Sequence, residues 1–271
     1  LVFGVIWGAC ELIRHLSSYG NGATINTQPE EEEPVPEETP EDTAPAENLI
    51  DGIPANPHDP NDFAEKNGFI VYTGTETWHT GVDVSAHQGE IDWEKAAADG
   101  IQFAMIRLGY RGYTEGEIGL DPYFLRNIEG AQAAGLDVGV YFFSQAITVD
   151  EAREEADFCA SLAPTGYPLF FDSEWGHTTK TGVHDGRADN LTKAQRTACA
   201  RAFCVRAAAL GYQPGVYTFT SFATANIDYE GLCKDYIGWL ADTRTNYDKT
   251  LPRHIHQYSQ TEPLSTHTSA V

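Results

Sequence analysis

Asp172 and Glu174 end the apolar run Phe170-Phe171-Asp172-Ser173-Glu174-Trp175, with one small residue between them. If that run is a strand, alternation puts both carboxylates on one face and Ser173 on the other. Two acids at the mouth of a buried strand are costly unless they are paired, hydrated or used in chemistry. A strand end running into a solvated acidic loop is the plain alternative, and exposed carboxylates are the common case. Other groups placed the same way shift the balance. Asp83 follows Gly81-Val82, Arg107 and Tyr110 follow Ala104-Met105-Ile106, and Tyr141 lies in Val138–Phe143. Tyr217, then Trp239 with Asp242, then Gln257 with Tyr258 repeat the pattern further on. Aromatic platforms with a few carboxylates suit a sugar polymer, whose ring faces stack and whose glycosidic oxygen needs a proton donor. Each aromatic taken alone reads as an ordinary core or rim residue, so the joint placement carries the inference.

These groups need a scaffold that brings strand ends together. Short apolar strands at Gly81–Ser85, Phe103–Leu108, Val138–Phe143, Leu169–Glu174, Gly215–Phe219, Tyr236–Ala241 and Ile255–Ser259 alternate with amphipathic helices. That alternation marks a parallel α/β sheet or barrel. Thr148 with Glu151, and Thr192 with Gln195, have capping-box form ahead of helices reaching about Leu162 and Leu210. Another helix is expected from Asp121 to Ala134, closed by Gly135. In a barrel, catalytic groups belong at the C-terminal ends of the strands.

Composition bounds the rest. The chain has 271 residues, 41% hydrophobic, enough for one sizeable catalytic domain plus an appendage. Its formal net charge of -23 argues against nucleic acid, which requires clustered Lys and Arg. Five cysteines, at 10, 159, 199, 204 and 233, show no zinc spacing. Cys199 and Cys204 sit on different flanks of one helix and should not pair; a bridge from Cys159 or Cys233, or buried free thiols, stay open. Residues 1–16 begin with an apolar stretch too short to span about 30 Å of hydrocarbon, and read as the remnant of a membrane anchor or signal segment. Residues 17–62, rich in Pro and Glu and containing Glu30-Glu31-Glu32-Glu33, read as a disordered acidic stalk. Residues 63–80 form a lead-in, hairpin-like around Ile70-Val71-Tyr72, and 81–271 the catalytic barrel.

Read together, Gly81-Val-Asp-Val-Ser-Ala-His-Gln-Gly89, Ile91-Asp-Trp93, Ala104-Met-Ile-Arg-Leu-Gly109, Val138-Gly-Val-Tyr-Phe-Phe-Ser144, Phe171-Asp-Ser-Glu174, Pro214-Gly-Val-Tyr217, Gly238-Trp-Leu-Ala241 and His256-Gln-Tyr-Ser259 resemble glycoside hydrolase family 25. These are the Chalaropsis-type lysozymes, which cleave peptidoglycan between N-acetylmuramic acid and N-acetylglucosamine. The resemblance implies a modified TIM-like β/α barrel of eight strands and fewer helices, with an acidic groove at the strand C-terminal ends. It also implies catalytic roles for Glu174 as the acid, Asp172 as its partner and Asp83 as a first-strand acid. Tyr141 and Trp239 match groove positions, and Tyr110, Trp175, Tyr217, Gln257 and Tyr258 join them as substrate-binding candidates. Relatives carry a further acid on a last strand after the Gln-Tyr-Ser run. This chain ends at Val271, so either the sequence is cut at both ends or the barrel lacks that strand and its acid, and Glu262 lies too near the preceding strand to replace it. His87 stands where many relatives have Trp.

Residues i and i+2 of one strand lie about 6.5–7 Å apart and approach a substrate from one side. An acid and a nucleophile should flank the scissile bond. Asp172 therefore reads as the neighbour of Glu174, with its charge and that of Asp83, together with shielding by Phe170 or Trp175, keeping Glu174 protonated, and as the group that orients the substrate's own N-acetyl for attack. Two rival readings remain. His254 and His256 alternate onto one face and, with Asp172 or Asp83, could hold the metal of a polysaccharide deacetylase. A non-catalytic carbohydrate-binding surface protein is the other. A chitinase-type run is excluded by Tyr167 and Phe170, which stand where that signature requires Asp. The expectation is no cofactor, peptidoglycan glycan strands as partner, contact with membrane only through the N-terminal segment, a monomer, and an extracellular or cell-surface location.

Overall fold

In the computed structural model, residues 3–7 (as backbone), 60–66, 69–75, 78–244 and 250–259 are described. Strands in chain order are β1 (Phe3–Trp7), β2 (Phe63–Lys66), β3 (Phe69–Tyr72), β4 (His79–Val84), β5 (Phe103–Arg111) and β6 (Ile118–Leu120). They continue with β7 (Asp137–Phe143), β8 (Pro168–Asp172), β9 (Gln213–Phe219), β10 (Ile237–Ala241) and β11 (Ile255–Gln257). The helices are α1 (Trp93–Ala98), α2 (Phe124–Ala133), α3 (Val149–Ala160), α4 (Lys193–Ala209), α5 (Thr220–Ala225) and α6 (Tyr229–Leu232). Every strand expected between 81 and 259 is present.

β4, β5 and β7 to β11 run parallel, each hydrogen-bonded to the next. β1 lies antiparallel between β11 and β4, with Val5 opposite both Gln257 and Gly81, and closes the ring at eight strands. The place of the last strand expected to be missing is thus taken by Phe3–Trp7, from the opposite end of the chain. The remainder of the 1–16 segment, Cys10, the stalk before residue 60, and Glu262 lie outside the described residues. Among the described residues no helix is long and apolar enough to cross a membrane. β2 and β3 pair as an antiparallel hairpin apart from the barrel.

Local chemistry sets the helix ends. Thr192 accepts from the Gln195 amide while the Gln195 side chain accepts from the Thr192 amide, a complete capping box. Thr148 accepts from the Glu151 amide, but Glu151 reaches past it to the amide of Ile147, so only half of that box forms. α2 starts at Phe124 rather than at Asp121, because the Asp121 carboxylate is engaged by three donors in the turn ahead of it.

Two apolar layers follow from strand alternation. The outer one packs the helices on the barrel wall. The inner one fills the barrel with Phe103, Met105, Phe170, Ile237, Trp239 and Ile255. Glycines on neighbouring strands make room for the largest: a Cβ at Gly81 would meet the Phe103 ring at 2.4 Å, and one at Gly215 the Phe170 ring at 2.3 Å. Small beside large is how a narrow barrel is packed to crystal-like density. Truncating Phe170 to Ala should destabilise by about 3–5 kcal/mol. Cys159, Cys199, Cys204 and Cys233 are all free thiols, three of them buried, which resolves the two alternatives left by their spacing. Burial pushes the Cys199 thiol up to about 11, so it is inert.

Candidate active site

The inner layer ends, at the C-terminal mouth of the barrel, in polar side chains. Asp83 is the penultimate residue of β4 and Asp172 the last of β8, and both are buried. β8 stops at Asp172, yet Ser173 stays hydrogen-bonded to β9. The Ser173 amide donates to the Tyr217 carbonyl at 3.0 Å, and the Ser173 carbonyl accepts from Thr218 Oγ1 at 2.7 Å. That grip on β9 keeps Glu174 on the same face as Asp172. Beyond Glu174 the chain turns away sharply, because Asp189 accepts from the amides of Gly176 (2.7 Å) and Gly186 (2.7 Å). Gly176 is required there, since a Cβ would lie 2.1 Å from Gln145 Oε1.

A cavity of about 750 Å³ opens over these groups, with Asp83, Asp172 and Glu174 in its wall. Tyr110, Tyr141, Tyr217, Trp239 and Gln257 also line it, so eight of the ten residues singled out in the sequence meet in one place. Trp239 is the hub: its ring contacts Tyr217 at 4.5 Å, Phe170 at 5.5 Å and Tyr141 at 5.7 Å between centroids. The other two residues are elsewhere. Trp175 follows Glu174 and therefore faces outward, stacked on His184 at 3.9 Å and edge-on to Phe222. Tyr258 follows the inward Gln257 and also faces outward, packing with Tyr72 and Trp78. Neither is placed to touch a ligand in the cavity.

Four buried polar atoms of the cavity have no hydrogen-bond partner among the described residues: Asp83 Oδ1, Asp172 Oδ1, Trp239 Nε1 and Gln257 Oε1. Groups left open this way are normally completed by solvent or ligand. Burial is the main reason that all three acids are shifted upward. Asp83 is raised to about 7 by burial and by the nearby Glu174 charge, against the Tyr141 hydroxyl that donates to it and the Arg107 cation. Asp172 is raised well above the usual range by burial, then by Glu174 and Asp83, with Arg107 opposing. Glu174 is raised to about 7 by burial, again with Arg107 opposing. Glu174 is thus protonated at neutral pH in substantial part, as expected, but the cause is desolvation more than the charge of its neighbours. Burial also raises the Tyr141 and Tyr217 phenols well above 10, leaving both as neutral donors.

Arg107 and Asp121 received no role from the sequence, although Arg107 stood among the strand-end groups. Arg107 lines the cavity, and its Nε donates to Asp121 Oδ2 at 2.8 Å. Asp121 is buried and also accepts from the amides of Ala86 (3.0 Å) and Tyr123 (2.9 Å). A buried acid just before a helix, on the strand-end side, was the available signal. His87 lies on the cavity rim. Asp242 is withdrawn into an ion pair with Arg244 and a bond from Thr220; despite partial burial these hold it down at about 2. The two histidines of the metal reading bond to backbone instead. His254 Nδ1 accepts from the Gly238 amide at 2.8 Å, and His256 Nε2 donates to the Asp242 carbonyl at 2.9 Å. Among the described residues no group of three His, Cys, Asp or Glu could hold a metal ion.

Comparison with known proteins agrees with this geometry. The family model described as "Glycosyl hydrolases family 25" matches residues 82–267. The fold is similar to a muramidase from Trichobolus zukalii, with a TM-score of 0.52 and 22% identity over 64% of this chain and 80% of that one. It is also similar to the modular autolysin LytC from Streptococcus pneumoniae, solved in complex with a synthetic peptidoglycan ligand. There the TM-score is 0.59 and the identity 20%, over 75% of this chain and 49% of that one. A curated relative, the uncharacterized protein YegX of Escherichia coli (strain K12), is 42% identical over 74 residues, and the chain spans 25% of its length.

Proposed function

The chain belongs to glycosyl hydrolases family 25, and from that premise we propose that it is a lysozyme-type peptidoglycan hydrolase cutting the β-1,4 bond between N-acetylmuramic acid and N-acetylglucosamine. One observation carries the reading: three carboxylates, two of them buried with an unpartnered oxygen, share an aromatic-walled cavity at the mouth of the barrel. Solved neighbours that include a muramidase and an autolysin bound to a peptidoglycan ligand support the substrate class.

Glu174 is the general acid. With a pKa near 7 it carries a proton at neutral pH and ionises readily once that proton has left, the balance a proton donor needs. Asp172 and Glu174 reach the substrate from one strand, so Asp172 is not set across the bond from Glu174 as a nucleophile. The acetamido oxygen of the substrate instead attacks the anomeric carbon while Glu174 protonates the departing glycosidic oxygen. Asp172 holds the acetamido N–H, and the neutral Tyr141 phenol donates to Asp83 beside it. Water then attacks the anomeric carbon, displaces the acetamido oxygen from it and returns a proton to Glu174, so the product keeps its configuration. Trp239, Tyr110 and Gln257 bind the sugar.

We place the enzyme at the cell surface or outside the cell, as a monomer, where its substrate lies. Mass spectrometry of borohydride-reduced products from digested peptidoglycan tests the bond. Reduced N-acetylmuramic acid ends are expected, and reduced N-acetylglucosamine ends would exclude a muramidase. NMR of the first anomer formed tests the route: retention is expected, and inversion would replace acetamido attack with direct attack by water.

A further inference from the structure

Arg107 enters the cavity from β5 with its side chain 14% exposed. Among the described residues only its Nε has a hydrogen-bond partner, and that partner is Asp121. Asp121 cannot follow a moving guanidinium, because its carboxylate also holds the backbone amides of Ala86 and Tyr123. The guanidinium is further seated over the Tyr110 ring, 5.6 Å from its centroid. The strand itself is set by a β-bulge between Arg107 and Gly109, where β5 steps out of register with β7.

The consequence is a cation that shares a cavity with Asp83, Asp172 and Glu174 yet makes no ion pair with any of them: its one salt bridge goes to Asp121. Arg111, the other arginine in the cavity wall, is engaged by Glu154 and Glu155. Tyr141 and Tyr217, which face the acids from β7 and β9, stay neutral, and His87 stands at the rim. A direct Arg107–Glu174 pair would hold Glu174 ionised and remove the proton that the reaction uses. A cation that lines the same cavity without pairing still acts on the carboxylates through Coulomb attraction.

We propose that Arg107, tethered to Asp121 and held off the three carboxylates, is a positioning residue that sets the charge of the cluster, allowing one acid to be ionised beside a protonated Glu174. The Arg107 cation opposes the upward shift of Asp83, of Asp172 and of Glu174 alike, which is the signature of one group acting on the whole cluster. The link to turnover rests on the glycosidase reading above; the charge on the cluster does not.

Carbon-13 NMR of side-chain carboxyl groups, followed through a pH titration of the full chain, reads that charge directly. Arg107→Met should move the midpoints of the three acids upward by about one pH unit, while Arg107→Lys, which keeps a cation, should stay close to the parent protein. If Arg107→Met does not fold, Arg107→Gln, which keeps a donor for Asp121, carries the same expectation. Midpoints that coincide in folded parent and neutral variants would overturn the proposal, as would Lys shifting them as far as Met. In parallel, the alkaline limb of kcat/KM on peptidoglycan should move to higher pH in the neutral variant, because Glu174 then keeps its proton longer. A structural role alone would lower the rate at every pH and leave the limb in place. Shifted midpoints in a protein that does not cut peptidoglycan would uphold the charge-setting role and defeat the enzymatic reading; hydrolysis with unmoved midpoints would do the reverse.

Discussion

Two sets of carboxylates are raised by burial, and their pKa directions do not tell them apart. Glu155 on α3 is raised to about 7 by burial, as are Asp83 and Glu174 in the cavity. Their surroundings are opposite. Glu155 Oε1 accepts from Arg111 Nε at 2.7 Å and Oε2 from Ser144 Oγ at 2.6 Å, so both of its oxygens are satisfied by protein. Arg111 in turn donates to Glu154 (2.7 Å) and to the carbonyls of Gly116 (2.8 Å) and Glu151 (3.0 Å), and Arg187 clamps Glu151 through two bonds of 2.9 Å. In the cavity, Asp83 and Asp172 each keep an oxygen without any partner among the described residues. A perturbed acid is therefore structural when its lone pairs are filled and chemical when they open onto a cavity.

Breaking each set should give opposite results. Arg111→Met leaves Glu155 buried without its cation and should lower the free energy of unfolding by about 3–5 kcal/mol, measured by urea denaturation. An unchanged midpoint would mean that the Arg111 network holds nothing. Asp172→Asn should leave the melting temperature equal or higher, because it removes a desolvated acid, while kcat/KM on peptidoglycan falls about a hundredfold through misplacement of the reacting group. A clear loss of stability in that variant would put Asp172 in the structural class.

A smaller contrast separates the inward and outward aromatics. Trp239→Phe removes an unpartnered indole donor from the cavity and should weaken substrate use about tenfold, seen as a rise in KM. Tyr258→Phe, on the outer face, should leave kcat/KM within about a factor of two. Equal effects would erase the distinction.

The smallest expected effect is on stability against pH. A carboxyl whose folded pKa lies above its unfolded value binds more protons in the folded protein. Its stabilising share is full below the unfolded value and is lost as pH rises through the folded one. For Glu174 that window runs from the ordinary 4.5 to about 7. The melting temperature of Glu174→Gln minus that of the parent should therefore be near zero at pH 4 and positive by pH 8. A difference that does not change with pH would mean that Glu174 titrates normally.

Much of this was readable before any coordinates. The period of two in Phe170–Glu174 put Asp172 and Glu174 on one face, and the recurrence of acids and aromatics at other strand ends predicted the cavity. The same period bears on the two candidates that do not line the cavity. Trp175 and Tyr258 are chain neighbours of the inward residues Glu174 and Gln257, so alternation had already turned them outward. Other features depend on contacts between distant segments. Asp121 looked like the start of a helix, and nothing local to it announces Arg107, 14 residues before it in the chain. Glu155 meets Arg111 only because β5 is brought against α3, across 44 positions of the chain. Closure of the barrel by Phe3–Trp7 pairs residues about 250 positions apart by the β-ladder geometry, and no hydrophobic period encodes which edge such a strand will join.

The release of reducing ends from peptidoglycan by a folded Glu174→Gln protein, set beside the parent at neutral pH, tests the central claim most directly. Loss of the protonated carboxyl should lower the rate about a thousandfold with the fold unchanged by circular dichroism. Turnover within a few-fold of the parent would contradict the assignment of Glu174 as the acid and, with it, the reading of the unpartnered carboxylates as the catalytic set.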